Sequence, residues 1–367
     1  MIKFQIKPEW VLRAPGATRR GLSQLFELLA AIAAEGNLRK ACARLDLSYR
    51  HAWGLIREGG QILGAPLIEF TRGQGAKLTA LGDKLVWANT RIAARLTPIL
   101  DSFASELESE IDRAMSTPGA RLRIHASHGY AVAVLHRMLL GKLTPVDLRY
   151  VGAADALASL CRAGCDLAGF HVPVGELQAV VLQTYAPWLA PRQHRLINLI
   201  TRRQGLIVAP RNPHGITGLA DLVRPGIRFV NRQAGSGTRL LLDMLLEREG
   251  LVGSQIAGFN TAEYTHAAVA ACVASGLADA GVGVEPAARQ FGLGFVPLVN
   301  ERYFLACRQD AVDSPAIRAV LETARCKEYR SAIAELPGLD AIHCGTLVSV
   351  DEAFPEHEFL DQPQAVA

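Results

Sequence analysis

The stretch NRQAGSGTR, residues 231–239, lies between an apolar run, GIRFV, and a leucine-rich run, LLLDMLLERE. That pattern predicts a strand, a glycine loop and a helix. The first amides of a helix have no acceptor within it, and the helix dipole is positive there, so such a loop is a place to hold an anion. Ser236 and Thr238 offer hydroxyls, and Gly237 and Thr238 offer backbone N–H groups. Neither a GxxxxGK[ST] phosphate loop nor a GxGxxG dinucleotide fingerprint is present there. Arg232 and Arg239 flank the loop; each is able to pair with an anion bidentately or to close a salt bridge on the surface. Two more helix starts repeat the pattern. HASHG places Ser127 and His128 after a predicted strand, and EYTHAAVA makes Thr265 and His266 the first polar residues of another helix.

His125, His128, His171, His194, His214 and His266 raise a metal or acid–base reading. No pair has HxxxH spacing on a helix, and no carboxylate partner is placed beside them. Ser127 and His128 are adjacent, so in a strand or turn they point apart and make no nucleophile–base pair. Catalysis and a cofactor are therefore not expected. The seven cysteines form no CxxC pair, and Cys161 and Cys165 have the i, i+4 spacing of core packing on a helix. MIKFQIKPEW lacks the apolar region of a signal peptide, and no run of eighteen apolar residues occurs. A cytoplasmic chain with reduced thiols and no membrane partner is expected.

These residues need a scaffold. From Arg121 onward strand-like and helix-like segments alternate: RLRIHAS, GYAVAVLHRMLLGKL, DLRYVGA, ADALASLCRAG, CDLAGFHVP. Alternation of this kind predicts parallel sheets with helices on both faces and ligands at the C-terminal ends of strands. DLAGFHVP, FVNRQAGSGTRLLLD, THAAVAACVASGLADAGVGVEPAA and LPGLDAIHCGTLVSV together resemble the periplasmic-binding-protein-like effector domains related to molybdate-binding proteins. The resemblance implies a two-lobed α/β domain over residues 119–352, with lobe I at 119–200 and 300–352, lobe II at 201–299, and a tail at 353–367. The chain would cross between lobes near 198–206 and 297–303. It also implies a small-anion effector in the cleft, molybdate or tungstate, held by helix N-termini and hydroxyls. Relatives often place a serine after the glycine of YVGAADAL, where this chain has Ala153, so a backbone N–H remains and a hydroxyl is missing. Formate or another small carboxylate stays an alternative.

The first ninety residues differ in character. They hold 13 Lys and Arg against 7 Asp and Glu, whereas the remainder holds 26 against 28. A basic end on a near-neutral chain points to nucleic-acid contact at that end. Leu22, Leu25, Phe26, Leu29 and Ile32 share one helical face; Gly36 ends that helix and Asn37 caps a short second one, in which Ala41 packs closely. Ser48 caps a third helix, with Trp53 and Ile56 facing the core and Tyr49, Arg50, His51 and Arg57 near the exposed side. PLIEF and AKLT, joined by TRGQG, predict a β-hairpin wing bearing Arg72 and Lys77.

GNLRKACARLDLSYRHAWGLI and FTRGQGAKLTALGDKL resemble the winged helix-turn-helix of the molybdate-responsive ModE regulators and, more loosely, of LysR-type regulators. The resemblance implies a double-stranded DNA operator of roughly palindromic half-sites, with Arg50, His51 and Arg57 in the major groove and Arg72 on phosphate or minor groove. Leu81, Leu85, Ile92, Leu96, Ile99, Phe103 and Leu107 then follow helical steps, with Pro98 as a kink point. The expected organisation is multidomain: a winged helix-turn-helix (α+β) at 1–82, a long linker and dimerisation helix at 83–118, and the two-lobed α/β domain. It is the organisation of a DNA-binding transcriptional regulator acting as a homodimer or homotetramer. The alternative is a cytoplasmic oxyanion storage or delivery protein whose N-terminal module binds protein.

Overall fold

The computed structural model describes residues 4–12, 20–71, 75–114, 121–142, 145–357 and 359; Arg72, expected on the wing, lies outside them. The chain divides into two compact units, residues 7–97 and the remainder.

In the smaller unit, β1 (Val11–Leu12) and β2 (Arg20–Gly21) pair antiparallel. Helix α1 (Ser23–Glu35) buries Leu25, Phe26, Leu28, Leu29 and Ile32, and Gly36 closes it at φ 60°, a left-handed conformation that favours glycine. The Asn37 side chain accepts from the Arg39 and Lys40 amides at 2.8 and 3.2 Å and starts α2 (Leu38–Arg44), where Ala41 is fully buried. Ser48 accepts from the His51 amide at 3.2 Å and starts α3 (Tyr49–Leu63). Strands β3 (Ile68–Thr71) and β4 (Gly75–Leu78) form the hairpin. Trp53 departs from expectation. It is exposed and stacks on Phe70 of β3, with ring centroids 5.4 Å apart. The buried stripe of α3 is Ala52, Ile56 and Gly59, and Trp53 sits one residue, about 100°, off it.

Helix α4 (Ala80–Ala114) continues through Pro98 without a break. Leu81 and Leu85 pack on the core of the smaller unit, while Ile99, Phe103 and Leu107 are exposed. In the larger unit its second half lies along a sheet edge. The Ser105 hydroxyl donates to Asp147 Oδ1 (3.3 Å) and accepts from the Leu148 amide (3.1 Å), and Ser102 accepts from the Tyr150 amide (3.3 Å).

That edge is β6 (Val146–Tyr150), which runs parallel to β5 (Leu122–Ala126), itself parallel to β7 (Leu167–Pro173). Two fifteen-residue strands, β8 (His194–Val208) and β12 (Gly294–Arg308), pair antiparallel and run through both lobes. Beyond them lie β11 (Ala280–Val284), β9 (Phe229–Arg232) and β10 (Ala262–Glu263), and the full order is β10-β9-β11-β8-β12-β7-β5-β6. Short β13 (Leu339–Asp340) and β14 (Leu347–Ser349) add to β8. The sheet is thus mixed rather than purely parallel. The two crossings are antiparallel strands of one ladder, with register shifts at Pro297/Val299 and Tyr303/Phe304 where the lobes meet.

Lobe I buries one apolar layer under α5 (Tyr130–Gly141), α11 (Pro315–Arg325) and α12 (Lys327–Ala334), and another under α6 (Ala153–Cys161), α7 (Gln178–Tyr185) and α13 (Val350–Ala353). Lobe II does so under α8 (Gly237–Arg248) on one face, and α9 (His266–Ala274) and α10 (Glu285–Gln290) on the other. Cys161 and Cys165 do not share a helical face: α6 ends at Cys161, which is exposed, and Cys165 is buried beyond a turn through Ala163 at φ 53°.

Candidate functional site

On the smaller unit, Ser48 caps α3 and so presents its first turn outward. Tyr49, Arg50, His51 and Arg57 are exposed, and Ser48, Arg50, His51 and Arg57 line a groove with Gly54, Glu58 and Gln61. Arg50 and Arg57 are seven residues apart, two turns along one face. His51 Nε2 lies 3.2 Å from Gln24 Oε1, and Lys77 is exposed on β4.

The larger unit gathers a second set of groups where the lobes meet. Arg232 ends β9 and is buried at 6 % exposure. Its Nε donates to Gln233 Oε1 (3.1 Å) and its Nη2 to the Tyr264 carbonyl (3.1 Å), while Nη1 is buried with no hydrogen-bond partner among the described residues. It makes no ion pair among them. Burial, then the Arg202 charge, pushes its guanidinium down to about 9. Arg202 is compensated differently: its Nε and the Gln204 Nε2 both donate to Glu301 Oε2, at 2.9 and 2.6 Å, with Glu301 buried on β12. Burial raises the Glu301 carboxyl, but Arg202, His171 and the Gln204 hydrogen bond outweigh it and hold the acid below its ordinary range.

Three imidazoles surround this pair of arginines. His171, on β7, stacks on Tyr303 (6.0 Å, 20°), and neither ring nitrogen has a hydrogen-bond partner among the described residues. His266, the first residue of α9, is buried with Nδ1 unpartnered. His128 meets the Tyr150 ring edge-on at 4.9 Å. Burial and the arginine charges push His128 and His171 down to about 4 and His266 well below its ordinary value. All three are neutral at pH 7, so the 3.8 Å contact of His171 Nε2 with Glu301 is no ion pair there. Ser127 completes the rim, its Oγ 3.4 Å from Tyr303 OH.

The glycine loop enters this centre through Gly237. Any side chain at 237 would collide with the His171 ring, so the missing Cβ is what lets α8 of lobe II close on β7 of lobe I. The Ser236 hydroxyl caps α8, accepting from the Arg239 amide (3.2 Å) and donating to the Gln233 carbonyl (2.9 Å). The cap leaves the amides of Gly237 and Thr238, the first two of the helix, without intrahelical acceptors, and the Thr238 side chain is buried. Thr265 likewise caps α9 by accepting from Ala268 (2.9 Å). Ala153 opens α6 behind Gly152, where a side chain would meet the Gly235 carbonyl across the cleft and the Asp155 carboxylate. Tyr130 OH donates to Gln290 Oε1 (2.8 Å), a second link between the lobes.

The structure therefore brings together Ser127, His128, Arg232, Gly237 and His266, and uses Ser236 and Thr265 as caps. Arg239 is placed elsewhere: its Nε donates to both Asp243 oxygens (2.9 and 3.1 Å) and its guanidinium lies 4.1 Å over the Phe259 ring. It is spent on an i, i+4 pair and a cation–π contact. Arg202, Gln204, Glu301 and Tyr303 are not singled out by the sequence, and His171 enters there only as a metal or acid–base candidate. The signal for them was polar residues inside long strands, in LITRRQG, VNERYF and DLAGFHVP.

Comparison with known proteins agrees with this division. Residues 23–83 match the family of bacterial regulatory helix-turn-helix proteins of the lysR type, and residues 138–325 match the PBP superfamily domain. The uncharacterized protein YvgK of Bacillus subtilis (strain 168) is 31 % identical over 220 residues, 59 % of this chain and 70 % of that one. The molybdenum-pterin-binding protein MopB of Rhodobacter capsulatus is 32 % identical over 187 residues, 44 % of this chain and 68 % of that one. Among solved structures, an OxyR mutant of Corynebacterium glutamicum superposes with a TM-score of 0.43 at 16 % identity, covering 85 % of this chain and 93 % of that one. Full-length LysG of the same organism superposes at 0.39 and 16 %, covering 84 % and 97 %. The chain thus belongs to the PBP superfamily through residues 138–325 and carries, over residues 23–83, a helix-turn-helix domain of the bacterial lysR type.

Proposed function

We propose that the chain is a transcriptional regulator whose effector domain closes on a small oxyanion and thereby alters DNA binding. Arg232 carries this reading. A guanidinium buried without a carboxylate, with one N–H pair unpartnered, is costly unless an anion joins it. Around it stand the free amides of Gly237 and Thr238 at the start of α8, together with the neutral donors His128, His171, His266 and Ser127. That set suits a tetrahedral oxyanion such as molybdate or tungstate, and the MopB relative supports that class. Formate is the smaller alternative, which Arg232 alone would neutralise.

Arg50, His51 and Arg57, with Ser48 and Tyr49, form the DNA face of α3, aided by Lys77 of the wing and by Arg72, which the sequence places between its strands. The exposed stripe Ile99, Phe103 and Leu107 on α4, at i, i+4 spacing, is the dimer contact. Thermal melting of the intact protein against molybdate, tungstate, sulfate, phosphate and formate tests the ligand class. A ligand at a hundred times its Kd adds about 2.7 kcal/mol, which moves the melting point by several degrees. The expected result is a clear rise with a tetrahedral dianion that disappears in Arg232→Gln; an equal rise in that variant would place the site elsewhere.

A further inference from the structure

The fixed charges at the centre of the cleft do not balance a doubly charged anion. Arg202 and Glu301 offset each other through a 2.9 Å bond, which leaves the single positive charge of Arg232. A tetrahedral dianion seated on Arg232 would therefore leave one negative charge buried and uncompensated, a costly state. The residues able to correct this are the three buried imidazoles, and among them His171 has a carboxylate beside it, Glu301 Oε1 at 3.8 Å from Nε2. Both nitrogens of His171 are buried without a hydrogen-bond partner among the described residues, and the ring rests on Gly237 at the start of α8.

Resting on the anion reading above, we infer that the cleft takes up one proton together with its dianion and stores that proton on His171. The proton comes from solvent and no covalent bond changes. Protonated, His171 donates to the anion from one nitrogen and faces Glu301 with the other. The charged and ionisable groups around it fix when this happens. Glu301 on β12 favours the imidazolium; Arg202 on β8 and Arg232 on β9 oppose it. Tyr303 on β12 stacks on the ring, His266 on α9 is neutral, and α8 presents Gly237. In the free cleft the two arginines and burial keep His171 neutral. Once an anion neutralises Arg232, the anion and Glu301 together draw the proton in. A monoanion such as formate satisfies Arg232 alone and recruits none. The cleft thus discriminates by ligand charge, and its affinity for dianions rises as pH falls.

Calorimetric titration of the full chain with sodium molybdate and with sodium sulfate, at pH 6 in two buffers of different ionisation heat, tests this. The expected binding heats differ between buffers by the amount for about one proton absorbed per anion. Affinity should weaken up to about tenfold per pH unit toward pH 8. His171→Gln, checked for an unchanged fold by its melting curve, should still bind the dianion, with equal heats in both buffers and a flat pH profile. Dianion binding by the parent protein with equal heats overturns the proton uptake while leaving the anion site standing, and this arm needs no variant. Uptake that survives His171→Gln overturns the assignment to that residue. Absence of any heat with molybdate, sulfate or formate overturns the anion reading itself.

Discussion

Arg232 and Arg239 flank the same glycine loop seven residues apart, and their surroundings are opposite. Arg239 lies in the first turn of α8 and finds Asp243 one turn on, a pairing visible in the sequence as an i, i+4 spacing. Arg232 ends a strand and points inward among groups that come from the loop after β5 and from β7, β8, β12 and α9, which no local pattern announces. The same holds for Gly237. Its spacing before a helix marked it as an anion-loop glycine, but the space it leaves is filled by His171, sixty-six positions earlier in the chain. The neutral histidines carry a pH prediction. His171 takes its proton near pH 4 in the fold and near 6.5 when unfolded, so between these values the unfolded chain binds protons first. Stability is complete above about pH 6.5 and falls as pH drops, by roughly 3 kcal/mol for this residue at full protonation. Melting points of the anion-free protein should therefore decline from pH 7 to pH 5, above the range where most carboxylates titrate. A melting point constant over that range would contradict the neutral, buried state of these rings.

Elements were legible where their signals are local. The Asn37 and Ser48 caps, the Gly36 stop and the hairpin all follow from residues within a few positions of one another. Trp53 was misplaced because hydrophobicity outweighed phase: the stripe Ala52–Ile56–Gly59 is made of smaller residues but is the one in register. Alternation predicts a parallel sheet, whereas β8 and β12 pair between positions 86 to 114 apart in the chain, and their antiparallel sense depends on that distant partner. What α4 does with its polar residues was equally invisible. Ser102 and Ser105 satisfy amides of the β6 edge, which would otherwise be open to a foreign strand. Ser105→Ala leaves the buried Leu148 amide without its acceptor and should cost about 1–3 kcal/mol. Chemical denaturation with amide exchange at Leu148 checks it; unchanged stability and protection would mean that the edge is held by other contacts.

At the scale of the whole molecule, the chain joins a basic helix-turn-helix unit to a two-lobed domain whose centre holds an uncompensated charge. Tyr150 stands between α4 and the cleft: its amide donates to Ser102 of α4 and its ring meets His128. A ligand that orders His128 is thereby one residue from the helix that leads to the DNA-binding unit. DNA affinity should fall steeply with salt, because the Lys and Arg excess neutralises phosphates and releases counterions. The central claim is that the anion seated on Arg232 governs DNA binding. The most direct measurement is the affinity of the full chain for the DNA upstream of its own coding region, with and without saturating molybdate, in the parent protein and in Arg232→Gln. The expected result is a several-fold change on adding the anion to the parent protein, and in Arg232→Gln an affinity like that of the anion-free parent which the anion does not alter. An equal response in both proteins would contradict it.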